Sequence, residues 1–78
     1  MWDEPKRLAN LDKHGFDFAD VLRFQWETAL ITTTHSMRLK AVGYFDDGTA
    51  VVIFAELGTE AISIVSFRPA NARERKML

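Results

Sequence analysis

The basic side chains near the C-terminus are the first candidates for chemistry in this sequence. Arg68 closes an apolar stretch, and Arg73, Arg75 and Lys76 follow it with Glu74 as the one acid among them. A guanidinium keeps its charge and offers two parallel donors that fit phosphate oxygens. An arginine at the end of an apolar strand needs a partner or a ligand, which favours a functional Arg68. The other three cations fit either phosphate binding or the solvated face of a terminal helix.

Side chains able to transfer a proton occur elsewhere. Lys13 and His14 are adjacent at the end of a predicted helix, and Glu56 lies near the end of a predicted strand. Imidazole, ammonium and carboxylate groups are common general acids and bases. Two of them also have a simpler explanation, which is contact with the last helix carbonyls for His14 and solvation at a strand end for Glu56. His35 is best explained as a solvated loop residue.

Other kinds of site find little support. The sequence has two His and no Cys, which disfavours a metal site and rules out a thiolate nucleophile. It contains no glycine-rich phosphate loop and no Ser–His–Asp arrangement. We therefore expect neither a metal nor a cofactor.

Length and composition indicate one globular domain over residues 1–78 with 47% hydrophobic residues. The net charge of −1 gives no general attraction to nucleic acid, so any basic surface must be local. No segment is long and apolar enough to span a membrane, and the N-terminus lacks an apolar signal segment. These features, with the absence of Cys, predict a cytoplasmic protein without a membrane partner.

A predicted β-hairpin organises the chain. Ala50–Leu57 and Glu60–Arg68 are rich in β-branched and aromatic residues and flank a Gly-Thr pair. A two-residue loop would place Ile53 opposite Ile64. Both faces of this hairpin are apolar, so we expect a central position with a cover on each side.

Two helices are predicted before the sheet. Asp3 is a suitable N-cap before Pro5, and Gly15 ends the first helix. Phe16 and Asp17 then begin a second helix through a hydrophobic staple and a weak capping box. Their apolar side chains are expected to cover one face of the sheet, namely Leu8, Leu11, Phe18, Val21 and Leu22.

The remaining elements complete an antiparallel α+β order. Strands are predicted over 28–33 and 38–45, with a turn at Asp46-Asp47-Gly48. Asn71 and Glu74 form a capping box that opens a short C-terminal helix through Leu78. The expected fold is two N-terminal helices packed on a small antiparallel sheet of three to four strands, followed by this short helix.

Several stretches together resemble the BrnT toxins of bacterial type II toxin–antitoxin systems. The N-terminal part reads Trp2-Asp3-Glu4-Pro5-Lys6-Arg7, then Asn10-Leu11 and Lys13-His14-Gly15, then Asp17-Phe18-Ala19-Asp20. The C-terminal part reads Ile64-Val65-Ser66-Phe67-Arg68-Pro69-Ala70, followed by Glu74-Arg75. This similarity extends over nearly the whole chain.

The resemblance implies a RelE-like α+β fold and metal-independent cleavage of RNA that inhibits translation. It also implies neutralisation by a BrnA-like antitoxin, with DNA contacted only indirectly through that antitoxin. The sequence departs from the family at Thr34–Arg38, where a longer acidic and aromatic segment is shortened. Arg38 matches the arginine of that segment, whereas its glutamate is missing, and the lead-in strand is reduced to Met1.

Cleavage of RNA without a metal requires deprotonation of the 2′-hydroxyl, stabilisation of the phosphorane and protonation of the 5′-oxygen. The predicted catalytic residues are Arg68, Arg73, His14 and Glu56, and the predicted RNA-binding residues are Lys13, Arg38, Arg75 and Lys76. Residue patterns alone leave three functions open: an RNA-cleaving toxin, a non-catalytic macromolecule-binding protein, and a structural protein-interaction domain. The resemblance favours the first.

Overall fold

A computed structural model describes residues 1–78 and has a four-stranded antiparallel sheet as its centre. The strands occur in the spatial order β1-β2-β3-β4, with β1 and β4 at the edges. Their bounds are β1 Leu30–Thr34, β2 Arg38–Phe45, β3 Gly48–Leu57 and β4 Ala61–Pro69. The α-helices are α1 Glu4–His14 and α2 Ala72–Arg75, and two 3₁₀ helices, Phe18–Arg23 and Trp26–Thr28, lie between α1 and β1.

The limits of α1 follow from its capping residues, as the sequence predicts. The Asp3 carboxylate accepts a hydrogen bond from the Lys6 amide, which satisfies one free N–H of the first turn. At the other end Gly15 has φ 73° and donates its amide to the Leu11 carbonyl. Glycine is suited to this left-handed cap because it lacks a Cβ.

The second predicted helix is a 3₁₀ helix, and this corrects the expectation of two α-helices. The Asp17 side chain caps it through the Ala19 amide. Phe18, Val21 and Phe24 are all buried, and their spacing of three residues matches the three residues per turn of a 3₁₀ helix. The tighter helix thereby directs all three side chains into the core.

The prediction that five apolar side chains of the N-terminal helices cover one face of the sheet is partly wrong. Phe18 and Val21 are buried, whereas Leu8, Leu11 and Leu22 are exposed, Leu22 at 88%. The reason is that α1 lies beside the edge strand β4, where it hydrogen-bonds to Phe67, and does not cross the sheet. The core is instead filled by the 3₁₀ segment and an aromatic cluster that includes Phe16, Phe24, Trp26, Phe45, Phe54 and Phe67.

The β3–β4 hairpin has a different register from the predicted one. Its loop has three residues, because Leu57 pairs with Ala61, and a register shift occurs between Ile53 and Phe54. Ile53 therefore pairs with Ser66 and not with Ile64. The shift moves Ile64 to the face of Phe54 and the aromatic core, whereas Ser66 and Arg68 stay on the face of Ile53, opposite to the core. We call this the groove face.

The other element limits agree closely with the sequence. β2 has the predicted bounds, β1 begins slightly later than expected, and Asp46 in the following turn has φ 52°. Asn71 and Glu74 form the predicted capping box, although α2 ends at Arg75. No helix has the length and apolar character needed to cross a membrane.

Candidate functional site

A groove of about 350 Å³ lies between α1 and the groove face of the sheet. Successive turns of α1 contribute Lys6, Asn10, Lys13 and His14 to the groove. These positions lie on the same side of an α-helix, because they are four, seven and eight residues after the first. β2 contributes one cation and β4 contributes a hydroxyl. The polar residues that line the groove are Lys6, Asn10, Lys13, His14, Arg38 and Ser66.

Asn10 attaches α1 to β4. Its side-chain nitrogen donates to the carbonyls of Phe16 at 2.9 Å and Phe67 at 2.7 Å. Its side-chain oxygen accepts from the Phe67 amide at 3.2 Å and from the Ser66 hydroxyl at 3.3 Å. The carboxamide thus pairs with both the amide and the carbonyl of Phe67 on the free edge of β4, as a neighbouring strand would. Asn10 is buried there, with 8% of the residue exposed. This contact sets the position of α1, and hence of Lys13 and His14, relative to Ser66.

The groove carries uncompensated positive charge. Lys6, Lys13 and Arg38 form none of the ion pairs within 4 Å in this protein, and no carboxylate lines the groove. Unpaired cations on the wall of a concave surface attract and orient anions, phosphates among them.

His14 is less basic than an ordinary histidine. Partial burial is the main cause of its lowered pKa, and the positive charges of Lys13 and Arg68 lower it further. A lowered pKa increases the neutral fraction at neutral pH, and neutral imidazole is able to accept a proton.

Arg68 does not line the groove and forms an ion-pair cluster with α2. Both of its terminal nitrogens donate to the Glu74 carboxylate at 2.8 Å, and Lys40 contacts the same carboxylate at 2.6 Å. The Glu74 pKa is strongly lowered, first by Arg68 and also by the Asn71 amide and Lys40. The cluster keeps one net positive charge near His14, but the donor fork of Arg68 is already occupied.

A second concave surface of about 590 Å³ lies between Phe16 and the β2–β3 turn. Its cation, Arg23, contacts Asp46 at 2.6 Å, and Asp47 adds another carboxylate to the lining. Although it is larger, this surface offers no free positive charge to an anion. The groove beside α1 is therefore the stronger candidate for a phosphate site.

Comparison with known proteins agrees with the resemblance seen in the sequence. A family model described as "Ribonuclease toxin, BrnT, of type II toxin-antitoxin system" matches residues 2–74. The chain belongs to the BrnT family. It is 42% identical to the Brucella abortus ribonuclease toxin BrnT, whose crystal structure was determined at 1.1 Å resolution. That similarity covers 91% of this chain and 94% of the Brucella chain, with a TM-score of 0.81. No match was found among curated proteins.

Membership of the BrnT family implies a ribonuclease with an antitoxin partner at the level of the family. Among the predicted site residues, the fold brings Lys13, His14 and Arg38 together in one groove. Arg38 reaches it from the shortened segment that departs from the family pattern. Arg68 is close enough for its charge to lower the pKa of His14.

The other predicted residues of this BrnT chain lie outside the groove. Glu56 is exposed beside the hairpin loop, opposite Ile62. Arg73, Arg75 and Lys76 are exposed on and just after α2, where Arg75 donates to the Ala70 carbonyl at 3.0 Å.

The predicted site residues do not include three of the polar residues that line the groove: Lys6, Asn10 and Ser66. A signal was present for the first two, because Lys6, Asn10 and Lys13 recur at helical spacing on the polar side of α1. The predicted hairpin already places Ser66 as a polar residue near the end of β4 on the face of Ile53, but its contact with Asn10 of α1 has no local signal in the sequence.

Proposed function

We propose that this BrnT chain is a metal-independent endoribonuclease toxin that cleaves RNA in the groove beside α1 and thereby inhibits translation in the cytoplasm. The observation that carries the proposal is the convergence of unpaired Lys6, Lys13 and Arg38 with His14 of lowered pKa. A RelE-like architecture, as implied by the family resemblance, is part of the same proposal.

The proposed reaction uses the ribose 2′-hydroxyl as the nucleophile. His14, neutral at physiological pH, accepts the proton of this hydroxyl as the oxygen attacks the adjacent phosphorus. Lys6 and Arg38 stabilise the negative charge that develops on the phosphorane oxygens. We assign protonation of the departing 5′-oxygen to Lys13, the neighbour of His14, so the step requires no metal ion.

Arg68 acts in this proposal through His14 and without contact with the substrate. Burial first, and then the charges of Lys13 and Arg68, lower the pKa of His14 and favour its neutral form. Direct contact of Arg68 with a phosphate would first require release of the Glu74 carboxylate, which occupies both terminal nitrogens. Arg73, Arg75 and Lys76 extend the positive surface along a bound RNA, and the role of Glu56 as a proton acceptor stays a prediction.

Neutralisation by a cognate, BrnA-like antitoxin follows from the same charge distribution. An acidic antitoxin segment laid over the groove would pair with Lys6, Lys13 and Arg38 and exclude RNA. Phe54 is 5% exposed in the core, so its apolar side chain is not available to an antitoxin. Contact with DNA is proposed to occur only through the antitoxin.

The test is incubation of the purified protein with RNA in the presence of EDTA. We expect cleavage, and we expect His14→Ala to reduce its rate on the order of a hundredfold or more. Arg23→Ala is the matched control, since it removes a cation whose ion pairs are exposed and outside the groove. RNA binding without cleavage by the parent would instead support the non-catalytic alternative.

A further inference from the structure

We infer that the Ser66 hydroxyl accepts a hydrogen bond from the 2′-hydroxyl of a ribose next to the one that is cleaved, and so selects RNA over polymers that lack this donor. The inference deepens and rests on the proposed function, because it names what part of the substrate this side of the groove recognises. It arises from the hydrogen-bond directions around Asn10.

The orientation of the Asn10 carboxamide is determined by backbone groups whose roles are invariant. Its side-chain oxygen faces the Phe67 amide, which can only donate, at 3.2 Å. Its side-chain nitrogen faces the carbonyls of Phe16 and Phe67, which can only accept, at 2.9 Å and 2.7 Å. A flipped amide would lose all three bonds, so the atom next to Ser66 is the oxygen.

This orientation determines what Ser66 presents to the groove. The hydroxyl is 3.3 Å from the Asn10 side-chain oxygen and must donate its hydrogen to that atom. A serine hydroxyl has one hydrogen and two lone pairs, so only acceptor capacity remains. Ser66 lines the groove, where a phosphate oxygen, itself an acceptor, would be an unsuitable partner for it.

The surrounding charges complete the recognition site. Lys6, Lys13 and Arg38 supply donors for phosphate oxygens, while Ser66 supplies an acceptor within the same lining. A ribonucleotide offers a partner for each of these groups, since its 2′-hydroxyl is a hydrogen-bond donor and the neighbouring 3′-phosphate is an acceptor. A deoxynucleotide offers only the phosphate.

The experiment measures binding by fluorescence anisotropy with three labelled single strands of one sequence, each of roughly 12 nucleotides. The probes are RNA, the fully 2′-fluoro analogue and DNA. The fluoro analogue removes the 2′ donor with little change in sugar size, and gel electrophoresis after titration in the cold verifies that the RNA is intact. The proteins are the parent, Ser66→Ala and Ser63→Ala, a control on the same strand that does not line the groove.

We expect the parent to bind RNA roughly twofold to tenfold more tightly than the fluoro analogue, which corresponds to one hydrogen bond. Ser66→Ala should lose this preference and bind the analogue and DNA as the parent does, whereas Ser63→Ala should keep the preference. Circular dichroism checks that both variants are folded.

Equal weakening of all three probes by Ser66→Ala, or no preference in the parent, would overturn the inference while leaving RNA cleavage in EDTA intact. A parent that neither binds nor cleaves RNA would overturn the proposed function as well.

Discussion

Glu74 receives both terminal nitrogens of Arg68 in a two-bond ion pair with distances of 2.8 Å. The carboxylate is the buried partner, with 3% of the residue exposed, whereas the Arg68 side chain keeps 28% of its surface in contact with solvent. Glu74 also accepts the Asn71 amide at 2.9 Å in the capping box of α2. A single carboxylate therefore connects β4, β2 and the C-terminal helix.

Glu74→Gln is expected to destabilise the protein by about 2 kcal/mol, because it leaves Arg68 and Lys40 without their counter-charge. The effect stays below that of a fully buried ion pair since both cations are partly solvated. Urea unfolding followed by circular dichroism measures the change. Glu60→Gln, an exposed residue of the hairpin loop, should change the free energy of unfolding by less than about 0.5 kcal/mol. Equal effects of the two variants would contradict this role of Glu74.

The lowered pKa of Glu74 predicts a specific acid sensitivity. Its folded-state pKa lies below the unfolded value, so its contribution to stability is present above about pH 4.3 and is lost as the pH falls through the folded pKa. Urea unfolding at a series of acidic pH values should show a decreasing free energy of unfolding. Glu74→Gln should flatten this decrease, and an unchanged slope would show that other carboxylates are responsible.

The lowered pKa of His14 predicts the acid limb of the cleavage reaction. If neutral His14 is the base, kcat/KM should rise with pH to a plateau. The midpoint of this rise should lie below 6.5, the ordinary pKa of imidazole. Lys13→Ala removes a positive charge and should move the His14 pKa upward, whereas Lys76→Ala should not. NMR titration of the imidazole protons checks the assignment independently of activity. A midpoint that does not follow the His14 titration would exclude this residue as the base.

The close packing around Gly43 in the aromatic core leaves no room for a larger side chain. A Cβ at this position would lie 2.8 Å from the Phe24 Cζ and 3.1 Å from the Ala29 Cβ. Phe24 has little freedom to move, because its ring packs edge-on against that of Trp26, with the two ring centroids 4.9 Å apart. Gly43→Ala should therefore cost about 1–3 kcal/mol through overpacking.

Gly48→Ala is the matched control, since nothing lies within 4 Å of a Cβ built there. It should change the thermal midpoint little, whereas Gly43→Ala should lower it clearly. Similar midpoints for the two variants would show that the core has room near Phe24.

Local chemistry in the sequence determined several features of this protein. Asp3, Gly15 and the pair Asn71–Glu74 cap their helices through groups within a few residues, so such signals are readable without knowledge of distant contacts. The bounds of β2 and the BrnT resemblance, later supported by the family match, also came from the sequence. Lys13 and His14 were recognised as chemical candidates because they are adjacent at a helix end.

The tertiary structure alone decided which of these residues meet. The extra residue in β4 moves Ile64 from the predicted face of Ile53 to the aromatic core, a result of strand register that composition does not specify. Asn10 draws α1 to the edge of β4, so Leu8 and Leu11 stay exposed although their spacing suits a core helix. Arg38, distant in sequence from His14, lines the same groove only because β2 and α1 approach it from different sides of β4. Long-range pairing sets such distances, and local residue spacing contains no measure of them.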